Sequence, residues 1–208
     1  MKLLHIDSSI LGAHSASRQI SHEVAERLRA EGGSVEVTHR DLAADPLPHL
    51  ELGNLPSNHP LAANLSPEVR AAHGAEITRS EAALQEFLAA DVVLIGAPMY
   101  NFTVPSQLKA WIDRILIAGQ TFSYGPQGPQ GLIKGKRVIA VVARGGFYGQ
   151  GSPFAAFEHL ESYLSAVFGF IGVTDISFIV AEGLGAGPDA RASAVERATA
   201  AARELRAA

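Results

Sequence analysis

Five stretches of the chain carry apolar residues as strands do, and each is followed by a stretch with helical periodicity or a helix-forming composition. Lys2 to Asp7 is a short apolar run; after the loop SSILGAHSAS, apolar positions recur at Ile20, Val24 and Leu28, the spacing of one helix face. Gly32 and Gly33 are expected to stop that helix. Ser34 to Leu42 reads as a second strand, with Val35 and Val37 alternating against Glu36 and Thr38. Prolines at 46, 48, 56 and 60 then break every periodicity between Ala43 and Leu65, marking an irregular excursion long enough to carry a role. Ser66 as N-cap, Pro67 in the first helical position and Glu68 in the first turn open a helix towards Phe87, with His73-Gly74 as a point of irregularity.

Val92 to Gly96 and Arg137 to Ala143 are continuous apolar runs, as expected of strands covered on both faces. Between them lie the loop APMYNF, a helix with Leu108, Trp111, Ile112 and Ile115 on one face, and TFSYGPQGPQGLIKGK, which predicts a hairpin or turns. Trp111 reads as core or subunit contact. A helix follows through Phe157, Leu160, Leu164, Val167 and Ile171, then a strand in Thr174 to Val180 and a last helix over Pro188 to Ala207. Phe157 and Phe168 are expected in the core. This alternation predicts one α/β domain over residues 1–208: a five-stranded, doubly wound parallel sheet with helices on both faces.

Composition narrows the classes. With 47% hydrophobic residues in 208, one substantial core is expected, and the absence of cysteine removes disulfides, thiolate catalysis and cysteine-based metal sites, which fits a cytoplasmic location. The opening MKLLHIDSSI is broken by His5 and Asp7, unlike a secretory signal, and no run approaches the roughly 18 apolar residues that span a bilayer. A net charge of −4 without a basic stripe argues against nucleic acid as a partner. The eight histidines show no pair at a spacing of four and no H-E-x-x-H, so no metal is expected.

Three loops follow the first, third and fourth predicted central strands, the carboxyl edge where doubly wound sheets bind ligands. In the first, Ser9, Ser15 and Ser17 precede a helix whose free N–H groups attract anions; the segment reads either as a phosphate site or as a solvated turn with a cap. Only Gly12 of a G-x-G-x-x-G fingerprint is present there, and Gly135-Lys136 is followed by Arg137, so neither a dinucleotide fingerprint nor a P-loop is found. G-x-S-x-G is also absent, which removes an α/β-hydrolase reading. In the other two loops, Asn101 with its neighbouring N–H groups, and Gly145 with Gly146, suit the polar edge of a flat ring approached closely by main chain. A phosphate at one end and a planar polar ring at the other describe FMN.

Taken together, SSIL followed by S-x-S, APMYNF, QLKAWID, AGQTFSY, the RGG turn and FGFIG resemble the FMN-dependent NADH-azoreductases, which are also NADH:quinone oxidoreductases, of flavodoxin-like fold. The resemblance spans nearly the whole chain. It implies that Ser9 and Ser15, Ala16 and Ser17 hold the phosphate, while Pro98, Met99, Tyr100, Asn101 and Phe102 with Ala143, Arg144, Gly145 and Gly146 hold the isoalloxazine. Ala16 and Ala143 stand where some members carry a polar residue, so binding there falls to main chain. It further implies a homodimer in which Tyr124 and Phe170 approach the ring, although Phe170 taken alone reads as buried; Tyr148, just after the double glycine, is a further pocket candidate.

The implied activity is a two-stroke hydride transfer through bound flavin, from NADH to a quinone or to an aromatic azo bond that is cleaved to amines. The flavin carries the chemistry, so no catalytic side chain is assigned. The rival readings are a flavodoxin-like electron carrier, which a mild net charge of −4 disfavours, and an NAD(P)H-dependent reductase of free flavin, nitroaromatics or iron complexes.

Overall fold

The central strands are the most buried part of the chain because they have strands on both sides and helices above and below. The computed structural model describes residues 1–31 and 33–206. Its sheet has the order β2-β1-β3-β6-β7, all neighbours parallel, formed by β1 (Lys2–Asp7), β2 (Glu36–Asp41), β3 (Val92–Pro98), β6 (Arg137–Ala143) and β7 (Asp175–Ala181). The expected five-stranded doubly wound fold is the observed one. The remaining strands, β4 (Phe122–Gly125) and β5 (Gly128–Gly131), make an antiparallel hairpin in the segment expected to turn.

Alternation along the central strands divides the core in two. Leu4, Ile6, Val93 and Ala140 face α3 (Gly74–Ala89), α4 (Ser106–Ile115) and α5 (Glu161–Phe170), where Phe87, Trp111 and Phe168 are buried. Their neighbours Leu3, Val92, Leu94 and Ile139 face α1 (Ala16–Glu31) and α6 (Pro188–Glu204) through Ile20, Val24, Leu28 and Ala198. Trp111 meets Phe87 edge-on at 6.0 Å, which settles it as core. Full burial of each such side chain stabilises the fold by roughly 1.5–3 kcal/mol.

Several boundaries differ from the sequence reading. The second strand begins at Glu36, where the ladder to Lys2 starts, and being an edge strand it stays half exposed. The helix expected from Ser66 to Phe87 is two: α2 (Pro67–Ala72), with the Ser66 hydroxyl accepting from Val69 N, and α3, separated at His73. Phe157 is not core but 46% exposed, in a 3-10 turn. The physical cause is Glu158, whose carboxylate takes the N–H groups of Leu160, Glu161 and Ser162 and starts α5 after Phe157. The final helix ends at Glu204; Gly32 and Ala207 lie outside the described residues.

The excursion from 43 to 65 is tied down rather than loose. Buried Arg114 donates to the carbonyls of Pro48 and His49 at 2.6 and 3.2 Å and to Asn54 Oδ1 at 3.3 Å. Burial pulls the Arg114 pKa down, against the opposing charges of Glu76 and Asp113.

Candidate active site

Parallel pairing brings the three predicted loops side by side at the carboxyl edge of β1, β3 and β6. Ser8 Oγ donates to Gly96 O at 2.7 Å, and Met99 N to Ala143 O at 2.8 Å, so the ladder continues into the loops. The Tyr100 hydroxyl accepts from Ile10 N at 3.2 Å and lies 3.3 Å from Ser9 Oγ, joining the third-strand loop to the serine loop.

The serine loop gathers buried hydroxyls at the start of a helix. Ser9, Ser15 and Ser17 are all buried; Ser15 and Ser17 share a hydrogen bond at 3.0 Å, and Ser15 Oγ accepts from Arg18 N at 3.2 Å, capping α1. Among the described residues the N–H groups of Ala16 and Ser17 have no partner, and they lie at the positive end of a 16-residue helix. The loop is braced by Arg18. Its guanidinium donates to the Ser9 carbonyl at 2.8 and 3.2 Å and grips Asp41 with two bonds of 2.6 Å. The Arg18 guanidinium holds the Asp41 carboxyl down at about 2.

The second loop is a tight two-residue turn. Tyr100 and Thr103 exchange main-chain bonds at 3.0 and 3.2 Å, and both residues between them have positive φ, Asn101 at 47° and Phe102 at 75°. Asparagine tolerates that geometry, whereas a phenylalanine there is strained by about 1–2 kcal/mol. The turn leaves the N–H groups of Asn101 and Phe102 without acceptors among the described residues and pushes the Phe102 ring out, 43% exposed. That ring lies 5.1 Å from Phe157 and 6.1 Å from Tyr148. A cavity of about 550 Å³ opens by the turn, lined by Ile10, Tyr100, Asn101, Gln107, Lys109 and Tyr163. Burial pushes the Tyr163 hydroxyl up to about 12.

In the third loop Arg144 turns away from the site. Its guanidinium is buried against Glu161 at 2.7 Å and Glu182 at 2.9 Å, its N–H donates to Ala181 O and its carbonyl accepts from Leu184. Burial raises the Glu161 pKa even beside that cation. The donors left open are the N–H groups of Gly145 and Gly146, which have no acceptor among the described residues. Gly146 lets the chain pass close to Tyr148: a Cβ there would stand 3.1 Å from the ring, which would have to shift by a few tenths of an ångström.

Of the three expected pocket aromatics, Tyr148 joins these loops. Tyr124 and Phe170 sit at the β4–β5 hairpin, packed on Phe122 at 5.5 and 4.8 Å. Tyr124 is 75% exposed and Phe170, which taken alone reads as buried, is 36% exposed. Sequence reasoning missed Arg18, Asp41 and Tyr163; only the packing of α1 against the sheet reveals the first two as a pair.

The donor set fits FMN: buried hydroxyls and helix N–H groups for a phosphate, and two pairs of open N–H groups with the Asn101 amide for a polar ring edge. Comparison with known proteins points the same way. The family described as flavodoxin-like fold matches residues 1–205. The FMN-dependent NADH:quinone oxidoreductase 2 of Bradyrhizobium diazoefficiens is 58% identical over all 208 residues of both chains. The FMN-dependent NADH:quinone oxidoreductase of Methylorubrum populi is 57% identical, again over the whole of both chains. Among solved structures, the FMN-dependent NADH-azoreductase from Bacillus anthracis str. Ames Ancestor, in complex with FMN, superposes with a TM-score of 0.85 at 25% identity, covering 98% of this chain and 96% of that one. With loops arranged for FMN, the expected strand order and full-length relatives, the chain belongs to the FMN-dependent NADH:quinone oxidoreductase and azoreductase family of flavodoxin-like fold.

Proposed function

We propose that this chain is an FMN-dependent NADH:quinone oxidoreductase that also cleaves aromatic azo bonds. The observation that carries the reading is the Tyr100 hydroxyl joining a serine cradle to a strained turn of open donors, so that one ligand can bridge both. FMN held there would supply the two-electron redox chemistry between NADH and the acceptor. In this proposal Ser9, Ser15, Ser17 and the N–H groups of Ala16 and Ser17 hold the phosphate. Asn101, with the N–H groups of Asn101, Phe102, Gly145 and Gly146, holds the polar edge of the ring. Pro98, Met99, Ala143 and Arg144 shape the loops, and Phe102 with Tyr148 gives flat apolar surface against which an aromatic acceptor stacks.

The exposed Tyr124 and Phe170 support a homodimer in which the hairpin of one subunit approaches the site of the other. In this proposal the chain acts as one domain in the cytoplasm, a reading that a cysteine-free composition supports. Among the described residues no helix is long and apolar enough to cross a membrane.

Purified protein should be yellow with FMN and should oxidise NADH with a quinone, without an added reductase. Colourless protein that takes up no FMN would overturn the assignment, and FMN binding without direct NADH turnover would favour the electron-carrier reading. An azo dye in the same assay tests the second acceptor.

A further inference from the structure

Histidines that are far apart in sequence meet in space. On the parallel pair β1 and β2, His5 lies opposite His39, and Asp7 is two residues beyond His5 on the same face of the sheet. That face looks towards α1, whose Ser21 Oγ is 3.0 Å from His5 Nε2 and donates to Asp7 Oδ1 at 3.3 Å. His39 Nε2 is 3.0 Å from Asp7 Oδ2, His5 Nε2 is 3.7 Å from Asp7 Oδ1, and the three groups offer ligand atoms all within 4.8 Å of one another. The expectation that the histidines do not cluster therefore holds along the sequence but not in the fold.

We infer that His5, Asp7 and His39 form a binding site for one divalent transition-metal ion of the zinc class. Ligands about 2.0–2.2 Å from a tetrahedral ion stand roughly 3.4 Å apart, a spacing that the two carboxylate–imidazole pairs already bracket. The half-exposed His39 side chain can close the remaining gap, while His5 and Asp7 are held by burial. Two imidazole nitrogens and one carboxylate oxygen, with a fourth position left for water, suit Zn²⁺ and its neighbours better than Mg²⁺ or Ca²⁺, which take oxygen ligands.

The charges around the trio are largely paired off. The nearest guanidinium, Arg18, stands 3.6 Å from Asp7 but is committed to Asp41 by two shorter bonds. The trio opens on a groove of about 630 Å³ that also carries Glu23 and Glu26, paired with Arg203 at 3.7 Å and with Arg29 at 2.7 Å. Asp7 directly precedes Ser8 and Ser9, so an ion here stiffens the root of the serine loop. Its binding is separate from any redox chemistry.

The test is calorimetric titration of ZnCl₂ into chelator-treated, tag-free holoenzyme, with wild type compared against His39→Ala and His22→Ala. One equivalent of Zn²⁺ per chain is expected in wild type and His22→Ala, with affinity falling about 100-fold or more in His39→Ala. A zinc-induced rise in Tm should appear in wild type and vanish in His39→Ala. His39 is half exposed on an edge strand, so the variant should fold, which circular dichroism checks. No Zn²⁺ bound to wild type, or equal affinity and stoichiometry in His39→Ala, would overturn the site. Flavin absorbance followed in parallel shows whether the FMN assignment stands, independently of the metal result.

Discussion

The Tyr100 hydroxyl lies 3.3 Å from that of Ser9 and accepts the Ile10 N–H at 3.2 Å, so a residue on the third-strand loop sets the shape of the first-strand loop. Removing that oxygen leaves the Ile10 N–H without its acceptor and loosens the serine cradle. A hydrogen bond of this kind is worth about 0.5–1.5 kcal/mol, so Tyr100→Phe should weaken FMN binding roughly 2–10-fold. Titration of apoprotein with FMN, followed by flavin fluorescence, measures it; unchanged affinity would show that the tie is incidental.

The Arg18–Asp41 pair should make stability acid-sensitive. The folded pKa of Asp41, about 2, lies below the ordinary 3.8, so the pair's contribution is complete above that ordinary value and is lost as pH falls towards 2. Asp41→Asn should cost about 1–2 kcal/mol at pH 7, a figure reduced for the partial exposure of both side chains. Urea unfolding at pH 7, 4 and 3 should show wild type converging on the variant as the pH drops.

Phe102 sets backbone strain against an exposed ring. Phe102→Gly relieves about 1–2 kcal/mol of left-handed strain and loses ring contacts to Phe157 and Tyr148 worth about 0.5–1.5 kcal/mol each. The two nearly cancel, so Tm should shift little while KM for an aromatic quinone rises severalfold. A large drop in Tm with unchanged kinetics would make the ring a structural element only.

Lys136 is buried, its ammonium donating to the Ala90 carbonyl and lying 4.9 Å from the centroid of Phe87. Burial lowers its pKa from 10.5 to about 8, so the unfolded chain binds this proton more tightly than the fold does. The resulting penalty is complete below pH 8 and is relieved as pH rises towards 10.5. Lys136→Met should therefore be more stable than wild type at pH 7 by on the order of 1–2 kcal/mol, after allowing for the lost hydrogen bond. Denaturation at pH 7 and pH 9.5 should show that advantage shrinking.

Which parts of this molecule were legible in the sequence follows from how local the signal is. The continuous apolar runs of β3 and β6 identify central strands because burial on both faces removes alternation. Ser66 and Pro67 announce a helix start because capping is satisfied within three residues. The serine loop and the Met99–Phe102 loop were visible as chemistry-bearing segments after such strands. Phe157 was misplaced because its apolar spacing continues that of α5, while the Glu158 cap that ends the pattern acts through side-chain geometry. Arg144 stood out in the RGG turn, yet only packing shows its guanidinium between Glu161 and Glu182.

By itself the sequence determined the strand–helix alternation, the five-stranded architecture and the segments that carry the chemistry, since hydrophobic periodicity and turn residues act over a few positions. The tertiary structure decided which of those residues meet. His5 and Asp7 opposite His39 and Asp41, Arg18 braced between Ser9 and Asp41, and Tyr100 bound to the serine loop all depend on the register and order of strands distant in sequence. Register is a collective result of packing both sheet faces at once, and no single segment encodes it.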